Sequence, residues 1–138
     1  MEIMIDLKKL DGFTAIDVLE TVSKFQELME KKYQSHVVRT YSLSDIVMDV
    51  NKTLGGSNGY SLPESSTAVV QLLSLFNNSN PDKRRRIVSD DYSQSHITIQ
   101  LLNASSKEYN ELFEDLEADL EKALEPLRSN YPKMEYGV

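Results

Sequence analysis

An α+β fold, with four strands in one sheet and helices over one of its faces, is predicted by three features of the sequence. The order strand, long helix, strand occurs twice along the chain. Three of the four strands alternate apolar and polar residues. Each long helix carries its apolar residues on one side only, so both kinds of element have one face to bury.

Glu2 to Lys8 sets Ile3, Ile5 and Leu7 against Met4, Asp6 and Lys8, the period of a half-buried strand. Asp11-Gly12 is a turn signal. Thr14 then stands as an N-cap with Asp17 three residues on, and Ile16, Leu19, Val22, Phe25, Met29 and Tyr33 recur at helical spacing. The short β-branched run His36 to Tyr41 reads as a second strand. Strand, helix, strand over this length is a βαβ unit, whose right-handed crossover makes the two strands parallel.

The second half repeats that order. Ser95 to Leu102 alternates through Ile97, Ile99 and Leu101, and Ser105 with Glu108 has the spacing of a capping box. Tyr109, Leu112, Phe113, Leu116, Leu120, Ala123, Leu124 and Leu127 then form one helical stripe, which Pro126 should end near Arg128. Lys133 to Val138 reads as the last strand. Two such halves, 1–41 and 91–138, predict a ferredoxin-like split βαβ arrangement within a single domain spanning 1–138.

Residues 42–90 are too many for a structureless connection and read as a helical insertion. Leu43, Ile46, Val47, Val50 and Leu54 make one stripe that ends at Gly55-Gly56. Pro63 should open a second helix with Ala68, Val69, Leu72, Leu73 and Phe76, and Pro81 a third, short and basic.

A chain of 138 residues buries enough surface for one domain without staples, and the absence of cysteine excludes disulfides and thiolate metal sites. A net charge of -7 argues against nucleic acid or an anionic membrane as the main partner, because both demand a cationic face. The run Lys83 to Arg86 reads as a solvated stretch of the short helix. No window approaches the roughly 20 apolar residues that span a bilayer, and the acidic segment after Met1 is unlike a signal peptide.

Chemistry finds little to work with. His36 and His96 both stand at the start of predicted strands and could approach across a sheet, but zinc wants three or four ligands. Asp90-Asp91 reads as an exposed turn rather than an acid/base pair, and no serine lies in GxSxG. The stretch Gly55 to Gly59 lacks the phosphate-cradling pattern and reads as a flexible link. Asn51, Asn77 and Asn103 begin Asn-x-Ser/Thr triplets, a weak signal. The carboxylates between Glu108 and Glu125 read as the wet face of an amphipathic helix, because no calcium loop is present. No catalytic, cofactor-binding or metal-binding residue is assigned, and no cofactor is expected.

The segments stand in a recognisable order. The strand EIMIDLKK is followed by the helix TAIDVLETVSKFQELME, the run VVRTYSLSDIVMDVNKTLGG, the segment SLPESSTAVVQLLSLF, and DDYSQSHITIQLLNASS before the long last helix. In this order the chain resembles the extracytoplasmic, porter-type domain of RND-superfamily exporters, in the hydrophobe/amphiphile efflux and MMPL-like group. Val38, Ser42, Leu43, Asp45, Asn51, Lys52 and Leu54 match that group's pattern after the second strand. Leu62-Pro63 and Asp91-Tyr92 match its later landmarks.

The resemblance implies a domain outside the cytoplasmic membrane, in a proton-motive-force-driven exporter of hydrophobic or amphiphilic molecules. Its implied partners are the transmembrane helices and a sister extracytoplasmic domain of the same chain, with a homo-oligomer compatible and nucleic acid excluded. Val138 directly after an alternating strand fits a domain excised from a longer protein, whose isolated fragment is expected to expose an apolar patch and self-associate. The family's proton-relay acids lie in its membrane helices, so none carries over. Tyr60, Val69, Leu73 and Phe76 are the expected substrate or interdomain contacts. The competing expectation is a free-standing ferredoxin-like module that binds a small ligand.

Overall fold

The computed structural model describes residues 1–55, 60–102 and 105–138. Four strands, β1 (Glu2–Asp6), β2 (Val37–Tyr41), β3 (Gln94–Leu101) and β4 (Glu135–Gly137), form one sheet in the order β2-β3-β1-β4. Every neighbouring pair is antiparallel. β1 and β2 therefore run parallel with β3 inserted between them, which is the split βαβ arrangement that the two-fold repeat predicts.

Alternation decides which face is covered. Ile3 and Ile5 of β1 stand beside Ile97 and Ile99 of β3 on the buried side, while Glu2, Met4, Thr98 and Gln100 point the other way. Helices α1 (Ile16–Lys32) and α5 (Ser106–Leu124) supply the apolar counterpart through Leu19, Val22, Phe25, Met29, Leu112, Leu116, Leu120 and Leu124. Each fully buried side chain of this size contributes about 1.5–3 kcal/mol.

The insertion comprises α2 (Leu43–Gly55), α3 (Ser66–Ser79) and α4 (Pro81–Ile87). It is not an appendage, since Leu43, Ile46, Val47, Val69 and Leu73 belong to the same buried cluster as the strands. Val88 then bridges Ser95, continuing the sheet edge where β2 stops.

Several boundaries move for local reasons. Thr14 does not cap α1: it lies in a 3-10 turn, Gly12–Thr14, and its hydroxyl donates to the Asp11 carbonyl. The cap comes from the insertion, where the Ser66 hydroxyl accepts from the Ile16 N–H at 3.0 Å. α3 starts at Ser66 behind the N-cap Ser65 rather than at Pro63, whereas Pro81 does open α4 and Ser105 accepts from the Glu108 N–H. Pro126 sits in a terminal 3-10 turn, Glu125–Leu127. A Cβ at Gly12 would stand 2.7 Å from Leu7 Cδ1, so a larger residue there would push the buried Leu7 side chain aside.

The basic run is not wholly solvated. Arg84 is buried, and its guanidinium donates to Asn77 Oδ1, the Val88 carbonyl and Asp90 Oδ1 at 2.9, 3.0 and 2.6 Å while lying over the Tyr92 ring. A cation can be buried when all its donors find acceptors, and a planar fork meets three at once. Arg84 thereby ties α3 and α4 to the turn that feeds β3. Arg84→Met, which keeps the stem and loses the donors, is expected to cost about 2 kcal/mol in urea unfolding. Arg84→Lys should recover less than half of it, because an ammonium cannot reach the same three acceptors.

A second polar tie joins the two long helices. The Tyr33 hydroxyl donates to Asp119 Oδ2 at 2.5 Å, and Lys32 pairs with the same carboxylate at 2.8 Å. Burial, reinforced by the bond to Asp119, pushes the Tyr33 phenol from 10.0 up to about 12. Between those values the unfolded chain has lost a proton that the folded chain keeps, so stability is full below about pH 10 and falls as pH rises towards about 12. Tyr33→Phe is expected to remove part of that alkaline fall, measured as unfolding free energy on either side of about pH 10.

Candidate functional site

The junction where β2 gives way to α2 is built from Ser42, Ser44 and Asp45. Ser42 Oγ accepts from the Ser44 N–H at 3.1 Å, and Asp45 Oδ2 accepts from the Ser42 N–H at 2.8 Å. This is a capping box with aspartate in the glutamate position, which gives the Ser-Leu-x-Asp pattern a physical meaning: it starts a helix directly at the end of a strand. Gln26 reaches across from α1, donating to Asp45 Oδ2 at 2.8 Å and to Thr40 Oγ1 at 3.2 Å, and accepting from the Ser42 hydroxyl at 2.7 Å. Glu30 accepts from both the Thr40 N–H and its hydroxyl, and Ser44 donates to the Leu19 carbonyl. Among the described residues no buried side-chain polar atom lacks a partner.

Tyr60 closes this junction from the far side of α2, donating to Asp45 Oδ1 at 2.9 Å. Burial first, then that bond and the nearby carboxylates, push its phenol strongly upward. Tyr60 is thus committed to the insertion's own network, although the residue stays 47% exposed. Of the other expected contacts, Val69 and Leu73 are buried at 0% and 2%, their surface spent on the core. Phe76 alone lines an open depression.

That depression, with a cavity volume of about 350 Å³, lies between α2 and α3. Val50, Leu54, Leu75 and Phe76 make its apolar part, with Asp49 and Ser79 among the polar residues beside them. Leu54, which the helical stripe assigns to the core, is 59% exposed, and Leu75 is 50% exposed. Leu75 carries a signal in the sequence: Val69, Val70, Leu72, Leu73, Leu75 and Phe76 cover a wider arc of α3 than one buried face needs.

The uncovered face of the sheet offers a second depression, about 470 Å³, around Met4 and His96. Its charges are largely matched within the face. Asp6 accepts from Gln94 and pairs with Lys8, Lys8 also reaches Glu135, and His96 lies 3.8 Å from Glu2. Burial raises the Asp6 carboxyl, but the Lys8 N–H and ammonium and Gln94 outweigh it and hold the group below its usual range.

The two histidines do not meet. His96 stands opposite Met4 near the start of β3, whereas His36 lies just before β2, its carbonyl accepting from the Leu102 N–H beyond the far end of β3. Six residues of extended chain put them roughly 20 Å apart. Among the described residues no three histidine or carboxylate side chains converge as a metal would require. Asp90 serves Arg84, and Asp91 accepts from Ser89 and Ser93 to shape the turn at Tyr92, whose φ is 57°. The side chains of Asn51 and Asn77 are engaged with the Ser61 carbonyl and Arg84. Asn103 and the stretch Gly56 to Gly59 lie outside the described residues.

Comparison with family models, curated proteins and solved structures gives no match. The site is therefore defined by its geometry: a polar junction that fixes the insertion, and an apolar groove that the insertion presents. Removing the Asp45 carboxylate takes an acceptor from Ser42, Gln26 and Tyr60 together. Asp45→Ala is expected to cost about 2–3 kcal/mol in urea unfolding, and Tyr60→Phe should then cost less than it does alone, since only the longer bond to the Asp45 carbonyl, at 3.3 Å, is left to lose.

Proposed function

We propose that this chain is a porter-type extracytoplasmic domain of an RND-type exporter, driven by the proton-motive force and acting on hydrophobic or amphiphilic molecules. The observation that carries this reading is the pairing of the first and last strands. β1 and β4 are antiparallel neighbours with Met4 opposite Gly137, so the chain enters and leaves the domain side by side. That geometry suits a domain held between two consecutive segments of a longer chain, because both connections reach one place without crossing the sheet.

The architecture supports the same reading. A sheet with one face covered and the other open, carrying an inserted helical unit with exposed leucines, has surfaces for neighbours on two sides. Among the described residues no helix is long and apolar enough to cross a membrane, so the spans of such an exporter would lie outside residues 1–138. In the cycle this domain would move as one body, sliding or rocking against its sister, since sheet and insertion share one core. The substrate path would draw on apolar surface such as the α2/α3 groove.

The reading frame on each side of these codons is expected to encode an apolar span of about 20 residues. Cells lacking the gene should accumulate an amphiphilic dye several-fold above wild type, a difference that a protonophore abolishes. A frame confined to these codons, or equal dye accumulation in the two strains, would overturn the proposal.

A further inference from the structure

The open face of the sheet is basic along one margin and acidic along the other, and we infer that it binds the same face of a second copy of this chain, as a two-fold dimer in which unlike margins meet. The inference does not depend on the exporter reading. Arg39 projects from this face opposite Gln100, Lys83 lies over the ring of Tyr41, itself opposite Thr98, and Arg85 borders a depression with Met4, Gln94 and His96. These cations line the side of β2 and α4. Glu2, Asp6 and Glu135 stand on β1 and β4, with Glu114, Glu117 and Glu121 of α5 next to Tyr136 and Gly137 beyond them.

Pairing within the chain leaves both margins charged. Among the described residues Arg39 and Lys83 make no ion pair, and Arg85 has only exposed contacts, 3.5 Å to Asp82 and 3.7 Å to Asp90. On the other side Lys8 serves Asp6 and Glu135 together, and Glu2 has only His96, at 3.8 Å. Copies that each carry a net charge of -7 repel one another unless unlike patches are brought together, so charge selects the arrangement. A two-fold axis parallel to the strands, between β3 and β1, lays the basic margin of each copy over the acidic margin of the other and makes every contact twice. Arg39 and Glu2 lie at adjacent rungs of the face, opposite Gln100 and Thr98, so that axis brings Arg39 of one copy towards Glu2 of the other. Met4, 50% exposed, sits beside the axis and is covered by the second copy.

The same charges could be joined edge to edge, with β2 of one copy extending the sheet of the next from β4. Glu30 opposes this. Its carboxylate accepts from the Thr40 N–H at 2.9 Å, taking a donor that an added strand would need, and the register of β2 shifts between Val37 and Arg39. The face is the surface that remains. Four strands, the longest of eight residues, span roughly 20 Å by 25 Å, small for a permanent dimer and suited to a reversible one.

The test is sedimentation equilibrium of residues 1–138, whose core is complete in itself. A reversible dimer is expected to form at about 10–100 μM, with no larger species. Arg39→Glu and Glu2→Arg, both at exposed positions, should each weaken it about tenfold. Mixing the two variants in equal amounts should return the dimer to near its original strength, because a heterodimer of the two pairs opposite charges at both symmetry-related contacts. Recovery on mixing also shows that neither variant has unfolded. Monomer alone across that range, open-ended oligomers, a dimer indifferent to either reversal, or a mixture no stronger than its parts would each overturn the inference. Failure of the exporter reading shows separately, as a reading frame without flanking spans.

Discussion

The structure depends on the burial of one face of a four-stranded sheet under two long helices. Ile3, Ile5, Ile97 and Ile99 cannot be covered by their own strands, and Leu19, Phe25, Leu116 and Leu120 cannot be covered by their own helices. Each set needs the other, and the period-2 and period-3.6 patterns leave only one pairing of faces that buries both. The same constraint leaves the reverse face open. Glu2, Met4, Thr98 and Gln100 are exposed because the alternation that buries their neighbours points them outward.

The path from β2 to β3 is a detour that leaves the two strands antiparallel neighbours, as a hairpin would. A tight hairpin would return at once into β3, but Ser42 and Asp45 start a helix at the strand's end, so the chain travels through three helices before Val88 rejoins the sheet beside Ser95. The detour is stabilised at both ends by buried polar groups. Gln26, Thr40 and Asp45 hold the exit, and Arg84 with Asn77 and Asp90 holds the return. Buried polar groups of this kind are favourable only when every member finds a partner, which makes each junction specific to one geometry. The Ser66 hydroxyl that caps α1 adds a third tie, from the insertion back to the first half of the fold.

The elements that declare themselves in the sequence are those governed by short-range periodicity. The alternation in β1 and β3, the stripes of α1 and α5, the Ser105 cap and Pro81 at the start of α4 all follow from neighbours within a few residues, and the structure agrees with each. The elements that depend on distant partners are less legible. Thr14 has the chemistry of an N-cap, yet the cap at Ile16 comes from a serine fifty positions away, which no local pattern reveals. Arg84 looks like any solvated cation in a basic run, because its acceptors are a carbonyl, an amide oxygen and a carboxylate spread from Asn77 to Asp90. Val69 and Leu73 could be core or contact until the tertiary packing assigns them to the core. Leu54 falls on a helical stripe whose far end simply outruns the surface it packs on.

Because the insertion shares its core with the sheet, the groove on its outer side is mechanically continuous with the strands. Val69 and Leu73 face inward from the same helix that turns Leu75 outward and Phe76 towards the groove, so a force applied in the groove acts on side chains that fill the centre of the domain. Close-packed interiors transmit such displacements instead of absorbing them. The independent ties between insertion and sheet, at Asp45, Ser66 and Arg84, are what keep the two one body.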